Sequence, residues 1–293
     1  MQEHISVLQK EVIENLNPKT NENFIDATLG YAGHAQLILE KTGPKGKLLG
    51  IDQDQEALDA SRENLKKFNN RIDLVKSNFT ELGLLVRKWP VQEINGILID
   101  LGASTNQLTG DRGFSFRVDA PLDMRMNPQA GTQTAGSIIN NYSEKDLANI
   151  FKDFGEEPFA RQIAHKITEE RRNSPIETTF QLVETIKHAL PPSYRLKQKT
   201  HFATNIFRAL RMVVNRELEN LKNILPQATK ILSSGGRIGI ITFHSLEDRI
   251  VKTYFRDDPS LEVLTNKPVG PTEEEIERNH AARSAKLRVA RKI

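Results

Sequence analysis

The sequence predicts an α/β fold: an open, largely parallel sheet with helices on both faces, interrupted by an all-helical insertion. Three observations carry this. Apolar strand-like runs alternate with helical patterns from residue 23 to residue 100. The alternation stops between 108 and 204, and an apolar run at 236–243 then resumes the sheet. The first strand turns through glycines directly into a helical pattern, as chains often do where a nucleotide-like ligand is held.

The elements follow in order. Residues 23–29, 46–51 ("KGKLLGID"), 71–76 ("RIDLVK") and 94–100 ("INGILID") read as buried strands, with helical patterns at 34–42, 54–67 and 79–88 between them. An irregular tract, "TGDRGFSFRVDAPLDMRMNPQAGTQ", follows, then helices near 134–140, 143–153, 156–172 and 178–189. The basic loop "PPSYRLKQKTH" closes the insertion, and one long helix over 204–232 leads back to the strand at 236–243. The segments "LEVLT" and "AKLRVARKI" are expected to add two edge strands. The expected division is a sheet domain in two parts, 1–107 and 205–293, around a helical domain at 108–204.

Composition narrows the function. The chain has no cysteine, which excludes disulfides, thiolate metal sites and cysteine nucleophiles. No apolar run approaches the ~18 residues of a membrane span, and the charged start "MQEHISVLQKEV" is unlike a signal peptide, so a cytoplasmic protein is expected. The net charge of +3 says little about partners. The run Arg278, Arg283, Lys286, Arg288, Arg291 and Lys292, free of acids, reads either as a solvated surface or as a phosphate-contacting edge.

Ligands of open parallel sheets sit beyond the carboxyl ends of the strands. Gly30 and Gly33, Asp52, Phe79 and Asp100 all fall there. A carboxylate at the end of the second strand accepts two hydrogen bonds from a ribose diol, which suits NAD and S-adenosylmethionine alike. The glycines separate the two ligands. A pyrophosphate wants G-x-G-x-x-G, whereas this chain has G-x-x-G with Tyr31 and Ala32 between. Asp26 just upstream repels a pyrophosphate and tolerates a sulfonium. Structural readings compete: the glycines permit a tight turn, Asp52 and Asp54 cap a helix, and Phe79 is core.

In "FHSLEDR" the trio His244, Ser245 and Asp248 lacks the G-x-S-x-G elbow of a hydrolase. Ser245 and Asp248 read instead as a capping box for a helix at 246–255, leaving His244 and Glu247 to order the cleft or touch a substrate. No metal site is expected.

Long tracts then carry a resemblance: "DATLGYAGH", "GIDQDQEAL", "DLGASTNQL", "RGFSFRVDAPLDMRMN", "FGEEPFARQIAHKI", "FRALRMVVNREL", "FHSLEDRIVK" and "NHAARSAKLRVA". Nearly end to end, the chain resembles the bacterial 16S rRNA cytosine-N4 methyltransferases of the MraW type. The resemblance implies a Rossmann-like S-adenosylmethionine-dependent methyltransferase sheet with an inserted all-helical domain. It implies S-adenosylmethionine as donor and a cytidine in the decoding (P-site) region of 16S rRNA, in the small ribosomal subunit, as acceptor. The family's cofactor positions fall on Ala32, Gly33, His34, Asp52, Phe79, Asp100 and Gln107. Ala32 stands where a glycine is usual, and Phe202 and His280 stand where prolines are usual.

The chemistry agrees with an amine acceptor. Methylation at carbon 5 of cytosine uses a thiolate that this chain lacks, whereas N4 needs alignment and a hydrogen-bond acceptor, for which Asp100 is the candidate. Phe114 and Phe116 are candidates for stacking on the base, and Arg112, Arg117 and Arg125 for phosphates, unless this tract merely packs internally. Arg195, Lys197 and Lys199 of the basic loop and His244 complete the RNA-contacting candidates. Two other functions remain open: a methyltransferase for DNA or a small molecule, and a non-catalytic RNA-binding factor on the same fold.

Overall fold

The computed structural model describes residues 6–102, 111–128, 133–198 and 200–293. The chain forms two compact units: Met1–Gly102 with Leu218–Ile293, and Ala103–Glu217. Gln107 and Lys199 lie outside the described residues.

The first unit is built on a seven-stranded sheet of order β3-β2-β1-β4-β5-β7-β6. Its strands are β1 (Phe24–Asp26), β2 (Leu48–Asp52), β3 (Ile72–Lys76), β4 (Gly96–Asp100), β5 (Arg237–Thr242), β6 (Leu261–Val263) and β7 (Lys286–Lys292). The first five are parallel, and β7 runs antiparallel to both β5 and β6. The chain order reverses at β1, which lies between β2 and β4, and that is where an open α/β sheet leaves a crevice for a ligand.

Alternate residues feed two cores, one on each face. Ile97, Ile99, Ile238 and Ile240 point to one side, and Leu98 and Ile241 to the other. On the first face pack α4 (Leu82–Lys88), α11 (Glu217–Ile231) and α12 (Ser245–Asp257) through Leu82, Leu221, Leu225, Val251 and Phe255. On the second pack α1 (Gln9–Leu16), α2 (Gly33–Lys41) and α3 (Gln55–Asn64) through Val12, Leu16, Ile38, Leu39 and Leu58. A short helix, α13 (Glu273–Arg278), precedes β7.

The second unit is helical: α5 (Ala135–Asn141), α6 (Glu144–Asp153), α7 (Ala160–Glu170), α8 (Thr179–Ala189), α9 (Pro192–Lys197) and α10 (Thr204–Val214). Its own core joins Ile138, Leu147, Phe151, Ile163, Ile167, Leu182, Phe207 and Leu210. Hydroxyl caps set the starts, with Thr134, Ser143 and Thr178 each accepting from a first-turn amide.

Two sequence expectations are corrected. The single helix over 204–232 is two helices, broken where Arg216 takes a positive φ of 51°. The cause is Asn215, whose amide donates to Met124 O (2.8 Å) and whose Oδ1 accepts from Met126 N (2.8 Å), pinning the irregular tract. Thus α10 packs within the helical unit. The "AKLRVARKI" strand is interior, not an edge, since β7 is paired on both sides. Its Arg288 is only 5% exposed and makes a paired contact with Asp248 at 2.6 and 3.0 Å.

Candidate active site

The carboxyl ends of β1, β2 and β4 gather Asp26, Asp52 and Asp100. The turn after β1 is held firmly. Gly30 sits at φ +52°, its N–H donates to Asp52 Oδ2 (2.8 Å), and its carbonyl accepts from Ser61 Oγ (2.5 Å). Asp52 Oδ1 accepts from Asp54 N (2.9 Å). The cap of α3 is Asp54, which accepts from Glu56 N, so Asp52 is left facing the strand-end turn.

Ala32 and Gly33 begin α2 differently from the glycine reading. Ala32 is buried in the left-handed region at φ +66°, where a side chain costs ~1–2 kcal/mol. Gly33 is closely packed: a Cβ there would stand 2.2 Å from Ser6 Oγ, so the Ser6 side chain would have to move. The N-terminal segment also anchors His34, whose Nε2 lies 2.7 Å from Val7 O. That bond puts a proton on Nε2 and turns Nδ1 toward Asp100 Oδ2, 3.9 Å away. Phe79 opens a single 3₁₀ turn, Phe79–Glu81, after β3 and packs half-buried against the core that includes Leu82.

Electrostatics distinguish this edge from a structural turn. Burial pushes the Asp26 carboxyl up to about 7; the Thr28 amide opposes the shift and the Asp52 charge adds to it. Asp52 is raised by burial, against its hydrogen bonds from Asp54 and Gly30. Asp100 is raised well above the carboxylate range by burial, then by Asp26 and Glu247. Its backbone N–H donates to Thr28 Oγ1 (2.6 Å), yet its Oδ1 is buried with no hydrogen-bond partner among the described residues. Four carboxyl groups thus share a partly desolvated edge, an arrangement that a cation relieves and a phosphate aggravates.

The β5–α12 turn corrects the capping expectation by one residue. His244 is the cap, with its Nδ1 accepting from Glu247 N, while Glu247 Oε2 accepts from Phe243 N (2.8 Å) and His244 N (3.3 Å). Both side chains are buried, and His244 Nε2 lies 3.2 Å from Glu247 Oε1. Asp248 serves Arg288 instead. Sequence reasoning missed Ser61 and Thr28, whose hydroxyls tie the strand ends together without any local signature.

The RNA-contacting candidates divide. Arg112 donates toward Arg125 O and Met126 O (both 3.4 Å) and lies over the Phe114 ring, which is core. Arg125 is engaged by Asp123 at 2.8 and 2.6 Å. Phe116 is half-buried, Arg117 and Lys197 are exposed, and Arg195 is half-buried, its Nε without a hydrogen-bond partner among the described residues. Half of the C-terminal basic run is paired: Arg278 with Glu274, Arg288 with Asp248 and Arg291 with Glu262. A groove of about 540 Å³ between α11 and α12, lined by Leu225, Ile250 and Tyr254, follows the later turns of α12, beyond its start at the strand edge.

Fold and site together define a class: an open α/β protein whose strand-end carboxylates suit a cationic nucleoside. The chain belongs to the MraW methylase family, whose model matches residues 1–293. A protein named ribosomal RNA small subunit methyltransferase H from Kosmotoga olearia is 46% identical over 294 residues, covering 99% of this chain and 97% of its own. Proteins of the same name from Desulfotalea psychrophila and Thermotoga neapolitana are each 47% identical, over 99% and 98% of this chain and 98% and 95% of their own. Among solved structures, an rRNA methylase from Streptococcus thermophilus aligns over 97% of this chain and 93% of its own, at 10% identity and a TM-score of 0.45. An S-adenosylmethionine-dependent O-methyltransferase from Thermotoga maritima covers 100% of this chain and 68% of its own, at 10% identity and a TM-score of 0.46. No helix among the described residues is long and apolar enough to cross a membrane.

Proposed function

We propose that the protein is an rRNA methyltransferase that uses S-adenosylmethionine to methylate N4 of one cytidine in the decoding (P-site) region of 16S rRNA, within the small ribosomal subunit. The relatives' shared name supports an rRNA substrate. The observation that carries the reading is the acidic strand edge with the orphaned Asp100 Oδ1.

The edge fits the donor. Asp52 accepts from the Gly30 and Asp54 amides, one on each oxygen, and each carboxylate oxygen has two lone pairs, which leaves acceptor capacity for a ribose diol. α2 begins without a side-chain cap, and an uncapped helix start at Ala32, Gly33 and His34 suits the carboxylate of the donor's amino-acid part. Phe79 offers an aromatic surface at the end of β3 for the adenine, and Gln107 completes the set. Bound there, the donor supplies an electrophilic methyl group on a positively charged sulfur.

The chain's residues handle the acceptor. A cytosine amine is a poor nucleophile because its lone pair is conjugated with the ring. Asp100 Oδ1, held ionised once a cation lies beside it, accepts an N–H hydrogen bond, lets the nitrogen pyramidalise and provides a place for the departing proton. His34, fixed by Val7 O, stands beside the carboxyl with its Nδ1 3.9 Å from Asp100 Oδ2. Arg117, Arg195, Lys197 and Lys199, with Phe116, meet the RNA, while Arg112, Phe114 and Arg125 shape the tract that presents it and the buried His244 orders the β5–α12 turn. The test is transfer of a labelled methyl group to small subunits from cells lacking the enzyme. Wild type should label one rRNA site and Asp100→Asn should not; labelling of protein or of DNA instead would refute the reading.

A further inference from the structure

Within the helical unit three rings stack in sequence. Phe116 lies 4.4 Å from His201 at an interplanar angle of 16°, and His201 lies 4.3 Å from Phe202 at 29°. The stack is built rather than accidental. Phe207, only 4% exposed, meets Phe116 edge-on at 5.4 Å, which fixes the inner ring to the core. His201 Nδ1 accepts from Ala203 N (3.3 Å), which sets the middle ring's rotation. Yet His201 is exposed and the flanking phenylalanines are half-buried, so the stack reaches the surface. Partial burial lowers the imidazole's proton affinity, so the middle ring is a neutral aromatic surface at neutral pH.

Cations flank the rings. Arg117 follows Phe116 directly, and Arg195 and Lys197 lie on α9, so that Lys197 is at most ~14 Å of chain from His201. None of the three has an ion-pair partner among the described residues. This contrasts with Arg112, Arg125 and Arg288, which are spoken for within the fold. Parallel aromatic surfaces beside unpaired cations are what proteins use to hold unpaired nucleotides: rings take bases and cations take phosphates.

We propose that the Phe116–His201–Phe202 stack is a platform for an unpaired base of the RNA substrate other than the methylated one, with Arg117, Arg195 and Lys197 taking the adjoining phosphates. The proposal rests on the rRNA reading above. It gives the helical unit a task of its own: gripping the single strand that flanks the target, which helps keep that strand unpaired for the methyl transfer.

The test uses the full chain and single-stranded RNA oligonucleotides with 2-aminopurine at successive positions. Wild type should quench the fluorescence at one position on binding, as a base does when it stacks on a ring. Phe202→Leu and Phe202→Pro should lose that quenching and bind roughly 5- to 150-fold more weakly, the effect of one lost stack of about 1–3 kcal/mol. Phe202→Tyr should retain both. The Phe202 variants should keep the wild-type slope of log affinity against log salt, whereas Arg195→Ala with Lys197→Ala should flatten it by about 1.4. S-adenosylmethionine binding should be unchanged in all of them, which also reports a folded chain. If wild type binds RNA but no position is quenched, or both Phe202 variants bind and quench like wild type, the platform is refuted and the rRNA reading stands. If wild type binds no RNA, the rRNA reading fails and the platform falls with it.

Discussion

Replacing Asp26 by Asn should stabilise the protein at alkaline pH and weaken its hold on the methyl donor. The buried carboxyl is raised from 3.8 to about 7. In an unfolded chain the group ionises near 4, so between about pH 4 and 7 the folded state keeps a proton that the unfolded state has released. Stability therefore falls as pH rises through that window, and above it the penalty is complete. At ~1.4 kcal/mol per pH unit the shift amounts to about 4 kcal/mol, an upper bound because Asp26 shares its field with Asp52 and Asp100. Asn keeps the acceptor that takes the Thr28 amide and removes the charge. Urea titrations should show Asp26→Asn more stable than wild type by about 1–4 kcal/mol at pH 8 and nearly equal near pH 3, where Asp26 is protonated in the folded and the unfolded chain alike. Calorimetry at pH 8 should show weaker S-adenosylmethionine binding, since one carboxylate facing the sulfonium is gone. A variant destabilised equally at both pH values would refute the reasoning, because it would mean that Asp26 is ionised and stabilising in the fold.

Other changes have defined outcomes. Asp52→Ala removes a charged acceptor from the ribose position and frees Gly30 N, so S-adenosylmethionine should bind at least about tenfold more weakly by calorimetry; an unchanged dissociation constant would count against the β2 assignment. Arg288→Ala leaves the Asp248 carboxylate, in the first turn of α12, without its partner and should lose about 3–5 kcal/mol in denaturant titration, whereas a loss under 1 kcal/mol would indicate a solvated pair. At position 32 the left-handed backbone should make Ala32→Val lose more than about 2 kcal/mol, while Ala32→Gly stays within about 1 kcal/mol because relief of strain offsets the lost methyl. Similar melting temperatures for Ala32→Val and wild type would show that the turn relaxes.

Much of the sheet was legible because buried parallel strands are continuous apolar runs with carboxylates at their ends. The predicted strands at 46–51, 71–76 and 94–100 match β2, β3 and β4 to within two residues. What escaped was tertiary in origin. Arg288 reads as surface charge because no local pattern announces Asp248, forty residues earlier. The break at Arg216 lies in an unbroken helical pattern and is imposed by the Asn215 bonds to Met124 and Met126. His244 was passed over as a cap because serine is the commoner capping residue, yet the buried ring nitrogen does the same work. Ala32 gives no hint of a positive φ, since alanine rarely takes one. Phe116 was a stacking candidate by sequence, but its partners His201 and Phe202 lie eighty-five residues on and emerge only in three dimensions.

The central claim is tested most directly by nucleoside mass spectrometry of 16S rRNA from small subunits incubated with the purified protein and S-adenosylmethionine. The account predicts N4-methylcytidine at a single decoding-region position, absent when Asp100→Asn replaces wild type. Methyl groups on carbon 5 of cytosine, on a ribose oxygen or on adenine would contradict it.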